Sequence, residues 1–412
     1  MNGAATLPAL FREQAKRRPT MPATREKKLG IWRTQSWSDA FATMKDQAFG
    51  LAALGFEPGD RLCVIGDNRP RLYGVQIAAQ ALGGVAVPLD ANRSAEELAA
   101  QVNHAHARWL VLEAPEQLHR MKPLLSRMTA LCHVLVDSGE ESGQLNGARI
   151  HGRSEVDARG RELARSEPDR IDRAIERLSS EDAAVLSYTS NAASPEKGEL
   201  LSHRTLIAAA NAFANTERVE STDEWLAYMP LGWSADSLFS LTLALVRGFP
   251  HSCPESPETT LVDLAELSPH GFFAPRQTWE ALRQAVERRA ASSAPLKRCV
   301  FDHFLAAALA AQHVRESGQP LTLPAKARLA LGELLVYRPV RVKLGLGRCR
   351  WAYVEANVLD AETVRFFRAI GIDTKSLDGS AELAALAALC GSPSLSTARI
   401  VGSERVVETE ES

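Results

Sequence analysis

The amino-acid sequence predicts an α/β protein built on parallel sheets. Three short apolar runs, at residues 61–66, 85–89 and 107–113, alternate with helical patterns. The connections between them are short, which favours parallel strands joined by right-handed crossovers and covered by helices. A second series of strand and helix patterns begins near Asp182. We therefore expect two α/β subdomains side by side.

The helices of the first series carry their own start and stop signals. Asp67 or Asn68 begins one helix, which ends at Gly83 and a second glycine. Ser94 followed by Glu97 is a capping box and begins the next helix. These signals fix the order strand, helix, strand, helix, strand.

The second series is longer and its strands are more widely spaced. Helical patterns lie at residues 202–214 and 236–246, and residues 281–336 are mostly helical with a break at 318–320. Strands are expected at residues 184–189, 224–230, 248–253, 271–275, 349–355 and 372–377.

Changes in composition suggest where the parts of the chain begin and end. Before the first series, Ser38 is a plausible N-cap of a helix. Residues 137–180 are charged and dotted with glycine, which predicts a surface connection, partly helical near its end. The predicted organisation is a lead-in at 1–48, a first subdomain at 49–180, a second at 181–391 and an irregular acidic tail at 392–412.

Composition excludes several classes of protein. With 412 residues, 45% hydrophobic and 24% charged, the chain is neither disordered, collagenous nor a coiled coil. A net charge of −2 gives no sign of a nucleic-acid partner. The six cysteines include no CxxC pair, so neither a zinc site nor a dithiol is indicated, and His104 and His106 have the wrong spacing for a metal pair.

The same features predict a cytoplasmic protein with at most peripheral membrane contact. The N-terminus turns polar too soon for a signal peptide, and no apolar run approaches the ~20 residues that span a bilayer. A basic cluster follows an apolar helix, and it is either a solvated face or a face toward anionic lipid. Its members are Arg338, Arg341, Lys343, Arg348 and Arg350.

The stretch SYTSNAASPEKG, residues 187–198, raises the question of nucleotide binding. Phosphate loops use glycine, which lets an anion approach the backbone closely, together with hydroxyl donors and a lysine. Thr189, Ser190 and Lys197 are present, but no glycine precedes Gly198. The residues alone leave two interpretations open, a phosphate loop or an ordinary polar loop.

Several stretches together resemble the adenylate-forming enzymes, and within them the long-chain acyl-CoA synthetases. These are REKKLGIW, GLAALGFEPGDRLCVIGDNRP, LSHRTL, YMPLGW, PESPETTLVDL and FFRAIGI, and the loop stands where that family has Tyr-Thr-Ser-Gly-Thr-Thr-Gly-x-Pro-Lys-Gly. The resemblance implies the fold of the family's N-terminal region, with its following β-rich part and C-terminal lid domain missing. It also implies a reaction in which ATP and a fatty acid form an acyl-adenylate and coenzyme A then displaces AMP.

The resemblance assigns roles to residues of this chain. Lys197 and Glu382 would be catalytic, with Glu382 as the magnesium ligand, and Trp233 would lie on the substrate side. Nucleotide contacts would come from Thr189, Ser190, Asn191, Lys197, Gly198 and Gly379.

The chain also departs from the family pattern at the nucleotide site. Glu355, Ala356 and Asn357 replace a glycine-rich adenine turn, and the tyrosine that stacks on adenine has become Asp378. Within the loop the departures are Asn191, Ala192, Ala193, Ser194 and Glu196, and in the last motif Ala381 replaces a threonine.

Three hypotheses follow. The first is a synthetase homologue that is impaired or inactive, a pseudoenzyme with a regulatory or binding role. The second is an active or split synthetase completed by another chain, and the third is an acyl- or lipid-binding module. The resemblance implies ATP and magnesium as cofactors, and coenzyme A is not expected without the lid domain. Expected partners are a fatty acid or acyl group and a protein, either an intact synthetase or a separate lid domain, and no nucleic acid.

Overall fold

The computed structural model describes residues 6–145, 147–188, 198–355, 359–377 and 404–405. The chain forms two compact units. The first unit contains residues 1–222, 227–257 and 390–412, and the second contains residues 223–226 and 258–389. Each unit has its own parallel sheet, which agrees with the predicted α/β class.

Three strands of the first unit follow the predicted apolar runs closely. The runs at 61–66, 85–89 and 107–113 become the third, fourth and fifth strands. In chain order the strands are β1 (Pro22–Lys28), β2 (Ile31–Ser36), β3 (Arg61–Gly66), β4 (Val85–Asp90), β5 (Trp109–Leu112), β6 (His133–Val136), β7 (Gly143–Leu145), β8 (Ala148–Gly152), β9 (Ala183–Tyr188), β10 (Gly198–Ser202), β11 (Trp225–Leu226), β12 (His251–Cys253), β13 (Gly271–Ala274), β14 (Trp351–Glu355), β15 (Thr374–Leu377) and β16 (Glu404–Arg405).

The first unit is organised around a nine-stranded sheet with the order β16-β10-β9-β4-β3-β5-β6-β8-β7. The strands from β9 to β8 in this order run parallel, and β10 and β7 pair antiparallel with their neighbours. Side chains such as Cys63, Leu110 and Val134 are completely buried, as expected for strands covered on both faces. In the same unit, β1 pairs antiparallel with β2 and parallel with β12.

Helices cover these strands and connect them. In chain order they are α1 (Leu7–Arg17), α2 (Trp37–Ala53), α3 (Pro70–Ala81), α4 (Ala95–His104), α5 (Pro115–Met121), a 3-10 helix (Lys122–Arg127), α6 (Arg153–Ser166), α7 (Arg170–Arg177), α8 (His203–Thr216), α9 (Ser234–Asp236), a π-helical turn (Ser237–Thr242), α10 (Leu243–Arg247), a 3-10 turn (Pro257–Thr259), α11 (Thr260–Leu267), α12 (Arg276–Ala291), α13 (Pro295–Glu316), α14 (Leu323–Gly332), a second π-helical turn (Glu333–Tyr337), α15 (Arg338–Lys343) and α16 (Ala361–Ala369).

Two helix starts test the capping predictions. The capping box of Ser94 and Glu97 is present at the start of α4, as predicted. The predicted N-cap at Ser38 is wrong, because α2 begins two residues earlier. There Ser36 Oγ accepts from the backbone of Asp39 at 3.2 Å, and the Asp39 carboxylate accepts from the Ser36 backbone.

The charged stretch at 137–180 is not merely a connection. It contains β7, β8, α6 and α7. The reason is a close approach of α6 to α2, where a Cβ on Gly160 would lie 2.8 Å from the backbone nitrogen of Gly50. Two glycines 110 residues apart therefore let the mostly polar helix α6 pack closely against α2. Val156 is buried beside them.

The second unit has a three-stranded parallel sheet, β13-β14-β15. Aromatic residues form its interior. Trp225 stacks on Trp351 with 5.1 Å between ring centroids, and a Cβ on Gly271 would lie 2.1 Å from the Trp351 ring. Trp279 donates from Nε1 to the carbonyl of Tyr353 at 3.1 Å.

The two compact units do not coincide with the predicted subdomain boundaries at 49, 181 and 392. The reason is that β9 and β10, expected in the second subdomain, belong to the nine-stranded sheet. Of the predicted tail at 392–412, only residues 404–405 are described, and they pair with β10. Among the described helices, none is both long and apolar enough to cross a membrane.

Candidate functional site

The structure describes some of the predicted site residues and not others. Gly198 begins β10, Trp233 precedes α9, and Glu355 ends β14. The predicted residues outside the described part of the chain are Thr189, Ser190, Asn191, Lys197, Gly379 and Glu382.

The two ends of the predicted phosphate loop are neighbours in the sheet. Tyr188 ends β9 and is the cross-strand partner of Gly198. A Cβ on Gly198 would lie 2.8 Å from the Leu186 side chain, so this position packs too closely for a larger residue. The loop therefore begins and ends at one point, the carboxyl end of β9.

Tyr188 is held in the core rather than exposed at this end. Its hydroxyl donates to the carbonyl of Gln101 at 3.1 Å and lies 3.0 Å from Nδ1 of His104. Burial raises the pKa of Tyr188 above its ordinary value. The residue that leads into the loop is thus fixed by α4.

Trp233 lies at the same side of the sheet. Its turn closes with a hydrogen bond from the Trp233 backbone to the carbonyl of Pro230 at 2.9 Å. A Cβ on Gly232 would lie 2.5 Å from the backbone nitrogen of Asp90, so the turn packs directly on the end of β4. Because β4 is the neighbour of β9, the Trp233 turn and the loop ends share the carboxyl edge of one sheet, the usual place for a ligand in such folds.

A buried polar network supports the Trp233 turn. Asp236 is completely buried, and its carboxylate accepts from Tyr73 Oη at 2.8 Å and from Ser240 Oγ at 2.6 Å. The Asn68 amide donates to Asp236 at 3.2 Å and to the carbonyl of Met229 at 2.9 Å. Asn68 follows β3, so it ties both sides of the turn to the sheet.

Burial raises the pKa of Asp236 to about 8, although the hydrogen bonds from Ser240, Tyr73 and Asn68 act in the opposite direction. The carboxyl group is therefore largely protonated near neutral pH. As a neutral acid, Asp236 can hold the backbone of the Trp233 turn through its hydrogen bonds, and it needs no cation beside it to balance a charge. We call the ends of β3, β4 and β9, with the Trp233 turn and this network, the first edge.

A small apolar cavity of about 20 Å³, with room for about one water molecule, lies beside the network. Tyr73 and His251 line it, and the His251 ring is 4.9 Å from the Tyr73 ring. Burial lowers the pKa of His251 to about 4, so the imidazole is neutral. The rest of the lining comes from α1, α2, α3, β1, β2 and the end of the helix after the turn, and not from Trp233.

The second unit brings together the other two motifs at its own sheet edge. Glu355 and Leu377 are parallel cross-strand partners at the ends of β14 and β15. The described parts of β14 and β15 therefore end side by side. We call the ends of β13, β14 and β15 the second edge. Within the described ranges, no group of three or more histidine, cysteine or acidic residues is arranged to hold a metal ion.

A comparison with known families decides the identity of the fold. The model of the family described as AMP-binding enzyme matches residues 11–403. The chain belongs to the AMP-binding enzyme family. This confirms the resemblance to adenylate-forming enzymes that the motifs indicated.

Similar proteins of known class agree with this result. The chain is 26% identical over 388 residues to the long-chain-fatty-acid–CoA ligase ACSBG2 of Homo sapiens, covering 92% of this chain and 56% of the relative. It is 26% identical over 349 residues to the ligase FadD15 of Mycobacterium bovis, covering 83% and 55%. The chain thus spans about half the length of the curated relatives it matches, and it resembles long-chain fatty acid–CoA ligases.

Solved structures support the fold. The N-terminal domain of FACL13 from Mycobacterium tuberculosis superposes with a TM-score of 0.61 at 17% identity, covering 91% of this chain and 75% of that one. A fatty acyl-adenylate ligase from L. pneumophila, solved with acyl adenylate and pyrophosphate, gives a TM-score of 0.58 at 13% identity, covering 89% and 52%. The predicted fold class, that of the N-terminal region of an adenylate-forming enzyme, is confirmed.

Enzymes of this family use ATP and magnesium, and its CoA ligases use coenzyme A. The residues of this chain fit ATP poorly. Between the paired ends at Tyr188 and Gly198, Ala192 and Ala193 have no hydroxyl to donate, and Glu196 brings a negative charge.

Sequence reasoning missed the residues that support the first edge. Asp236 and Ser240 stand in an otherwise apolar helical run, SADSLFSLTLALV, and an acid among buried positions is a usable signal. The spacing of His104 and His106 bears only on a metal pair, and the contact of His104 with Tyr188 spans 84 residues, so the sequence gives no sign of it. Asn68 was predicted only as a possible helix start, although α3 begins after Arg69, and Tyr73 carries no signal; both meet Asp236 only in the folded chain.

Proposed function

We propose that this chain is a relative of the long-chain fatty acid–CoA ligases in which adenylation is impaired or absent, and which acts by binding rather than by catalysis. One observation carries the proposal. The strand pairing that closes the phosphate loop, Tyr188 with Gly198, is kept, while the loop between them has lost its glycines and two hydroxyls. The backbone that would position the phosphate loop is retained, but the residues that would bind the phosphate are not.

The physical argument concerns the anion that the loop would hold. A phosphate is bound by backbone N–H groups in conformations that glycine favours. Asn191 tolerates a left-handed conformation better than most residues, but Ala192 and Ala193 supply no side-chain donor. A carboxylate such as Glu196, at about 4 Å from a phosphate charge, would cost about 4 kcal/mol at an effective dielectric of about 20.

The second edge supports the same proposal. Glu355 ends β14 where the family resemblance places a glycine-rich turn. Asp378 follows Leu377 directly, at the position of the tyrosine that would stack on adenine. By the family resemblance, both changes would set a carboxylate where a flat, neutral base is expected, and such a base offers a carboxylate no charge partner.

The decisive experiment is calorimetric titration with ATP and magnesium of the wild-type chain and of a variant with a restored loop. The restored variant carries N191G, A192T, A193T, S194G and E196P, and Lys197→Ala is made in both backgrounds. We expect no saturable heat from the wild-type chain at millimolar ATP. The restored variant should bind one ATP, and Lys197→Ala should abolish that binding.

The proposal fails if the wild-type chain binds one ATP per chain and loses it in Lys197→Ala. Circular dichroism of each variant shows that a lack of heat comes from a folded protein. With ATP binding present in the wild type, the split-enzyme hypothesis takes precedence, and the search turns to a second chain that supplies a lid domain.

A second candidate function is binding of a fatty acid or acyl group. The observation that favours it is the intact support of the substrate-side Trp233 turn by Asn68 and Asp236. Mass spectrometry of a solvent extract of the purified protein tests this. A fatty acid bound in about equal amount to the protein, and reduced in Trp233→Ala but not in Trp32→Ala, would support it; a lipid-free extract from both would exclude it.

A further inference from the structure

An exposed helical surface in the second unit has a composition that the proposed function does not explain. The helix from α14 through the second π-helical turn to α15 is continuous over residues 323–343. One side of it is fixed, because Val336 and Tyr337 are buried and Tyr337 Oη donates to the carbonyl of Phe304 in α13 at 2.7 Å. The opposite side faces solvent.

The solvent-facing side is rich in large apolar side chains. Leu323 is 81% exposed, Leu334 is 65% exposed, and Leu335 is 50% exposed. Leu331 and Val342 are about half exposed on the same side. Single exposed leucines are ordinary, but a series along one helix marks a surface that is covered by something.

The charges on this side have one sign. The exposed charged residues of the helix are Lys326, Arg328, Arg338 and Lys343. The helix contains a single acidic residue, Glu333, and that carboxylate is paired with Arg341. The exposed side is therefore apolar and cationic.

The structure also refines the basic cluster predicted from the sequence. Arg341 is bound by Glu333, Arg348 donates to the carbonyl of Ser268, and Arg350 pairs with Asp223. These three arginines are engaged within the second unit. Arg338 and Lys343 remain exposed, and they lie on the side that carries the leucines.

We propose that the exposed side of residues 323–343 docks on an anionic lipid bilayer, with the leucines at the headgroup boundary and the lysines and arginines on lipid phosphates. Helices with this combination lie in the plane of the membrane interface. Each basic residue near an anionic surface adds to the attraction. No residue of this surface belongs to either sheet edge, so the inference is independent of the proposed function.

The composition favours lipid over a protein partner or a second copy. A symmetric pair of copies would bring the same cationic surface against itself, and like charges would oppose the contact. Protein interfaces are depleted in lysine at their cores. A bilayer with anionic headgroups accepts both the leucines and the uniform positive charge.

The test is sedimentation of the full chain with vesicles of phosphatidylcholine alone and of phosphatidylcholine containing about a third phosphatidylglycerol. We expect binding only to the anionic vesicles, weakened by salt. The double variant Leu334→Gln, Leu335→Gln should reduce binding about tenfold or more. Arg328→Gln combined with Arg338→Gln should reduce it and weaken the salt dependence.

The matched control is Leu261→Gln combined with Val262→Gln, two neighbouring exposed side chains on α11 at 55% and 59% exposure. This control should bind as the wild type does. Equal binding to neutral and anionic vesicles, no binding at all, or an equal loss in the control would overturn the proposal. So would self-association in analytical ultracentrifugation that the Leu334, Leu335 variant abolishes without any vesicle binding, because the surface would then be an interface between copies.

Discussion

The two sheet edges are supported in opposite ways. At the first edge, hydrogen bonds among buried polar groups hold the Trp233 turn, with Asp236 as their common acceptor. In the second unit the support is aromatic and lies at the start of the strands, opposite the second edge, where Trp351 packs against Trp225 and Gly271. A polar support depends on protonation, whereas an aromatic support depends on shape. The two edges should therefore respond differently to pH and to added volume.

The largest effect is expected from Gly271→Ala at the start of β13, where the strands that lead to the second edge are supported. A Cβ there would lie 2.1 Å from the Trp351 ring, which is rigid and already stacked on Trp225. We expect a loss of about 3 kcal/mol in the free energy of unfolding of the second unit, measured by chemical denaturation. Gly143→Ala is the control, since a Cβ on Gly143 has nothing within 4 Å. A loss of the same size in both variants would mean that crowding against Trp351 is not the cause.

The next effect concerns pH at the first edge, tested with Asp236→Asn. Burial raises the pKa of Asp236 to about 8, above the ordinary value near 4. The folded state then binds the proton more tightly than the unfolded state, so stability from this group is present at low pH and is lost as pH rises from about 4 to about 8. Relative to Asp236→Asn, the wild type should lose about 1 kcal/mol per pH unit between about pH 5 and about pH 7.

Other titrating groups cancel in this comparison. Burial lowers the pKa of His133, His203 and His251 to about 4, which makes stability fall with acid in both proteins alike. The difference between the two unfolding profiles therefore reports Asp236. If the profiles of wild type and variant run parallel, the carboxyl group is not protonated in the fold, and the contrast between the two edges disappears.

A smaller effect is expected from Tyr73→Phe, which keeps the ring and removes the hydroxyl. That hydroxyl donates to Asp236 at 2.8 Å and accepts from Asn68 at 2.7 Å. Its loss leaves buried polar groups unsatisfied and should cost about 1.5 kcal/mol. The matched control is Tyr337→Phe in the second unit, where the hydroxyl makes a single bond to the carbonyl of Phe304. If Tyr73→Phe lowers the free energy of unfolding no more than Tyr337→Phe does, the Asp236 network adds no stability beyond that of a single hydrogen bond.

The same contrast explains what the sequence can and cannot predict. Local signals, such as the Ser94 and Glu97 capping box and the apolar run at 85–89, specify their elements because cause and effect lie within a few residues. The predicted helical part near the end of residues 137–180 is confirmed by α6 and α7, but its packing could not be predicted, because Gly50 and Gly160 meet only in the fold.

For the candidate site, the sequence identified the loop ends and Trp233 but not their support. The strand before the loop follows from its apolar pattern, but no strand was predicted at residues 198–202, so the pairing of Tyr188 with Gly198 appears only in the fold. The Asp236 network joins residues more than 160 positions apart, and its partners have no pattern that local reasoning can detect. The departures from the family motif could be read from the sequence, because each motif position is compared with the family pattern one residue at a time.

The smallest effect is expected from Ser240→Ala at the first edge. Ser240 donates to Asp236 at 2.6 Å, and this hydrogen bond lowers the pKa of the carboxyl group against the effect of burial. Without it, Tyr73 and Asn68 still bind Asp236, so we expect a loss of about 1 kcal/mol in the free energy of unfolding at about pH 5. The loss should grow toward about pH 8, because a charged carboxylate misses the donor more than a neutral acid does. Denaturation of both proteins across this range measures it. A loss that shrinks as pH rises would mean that Ser240 favours the neutral acid, and the hydroxyl would then serve as acceptor to a protonated Asp236 at the first edge.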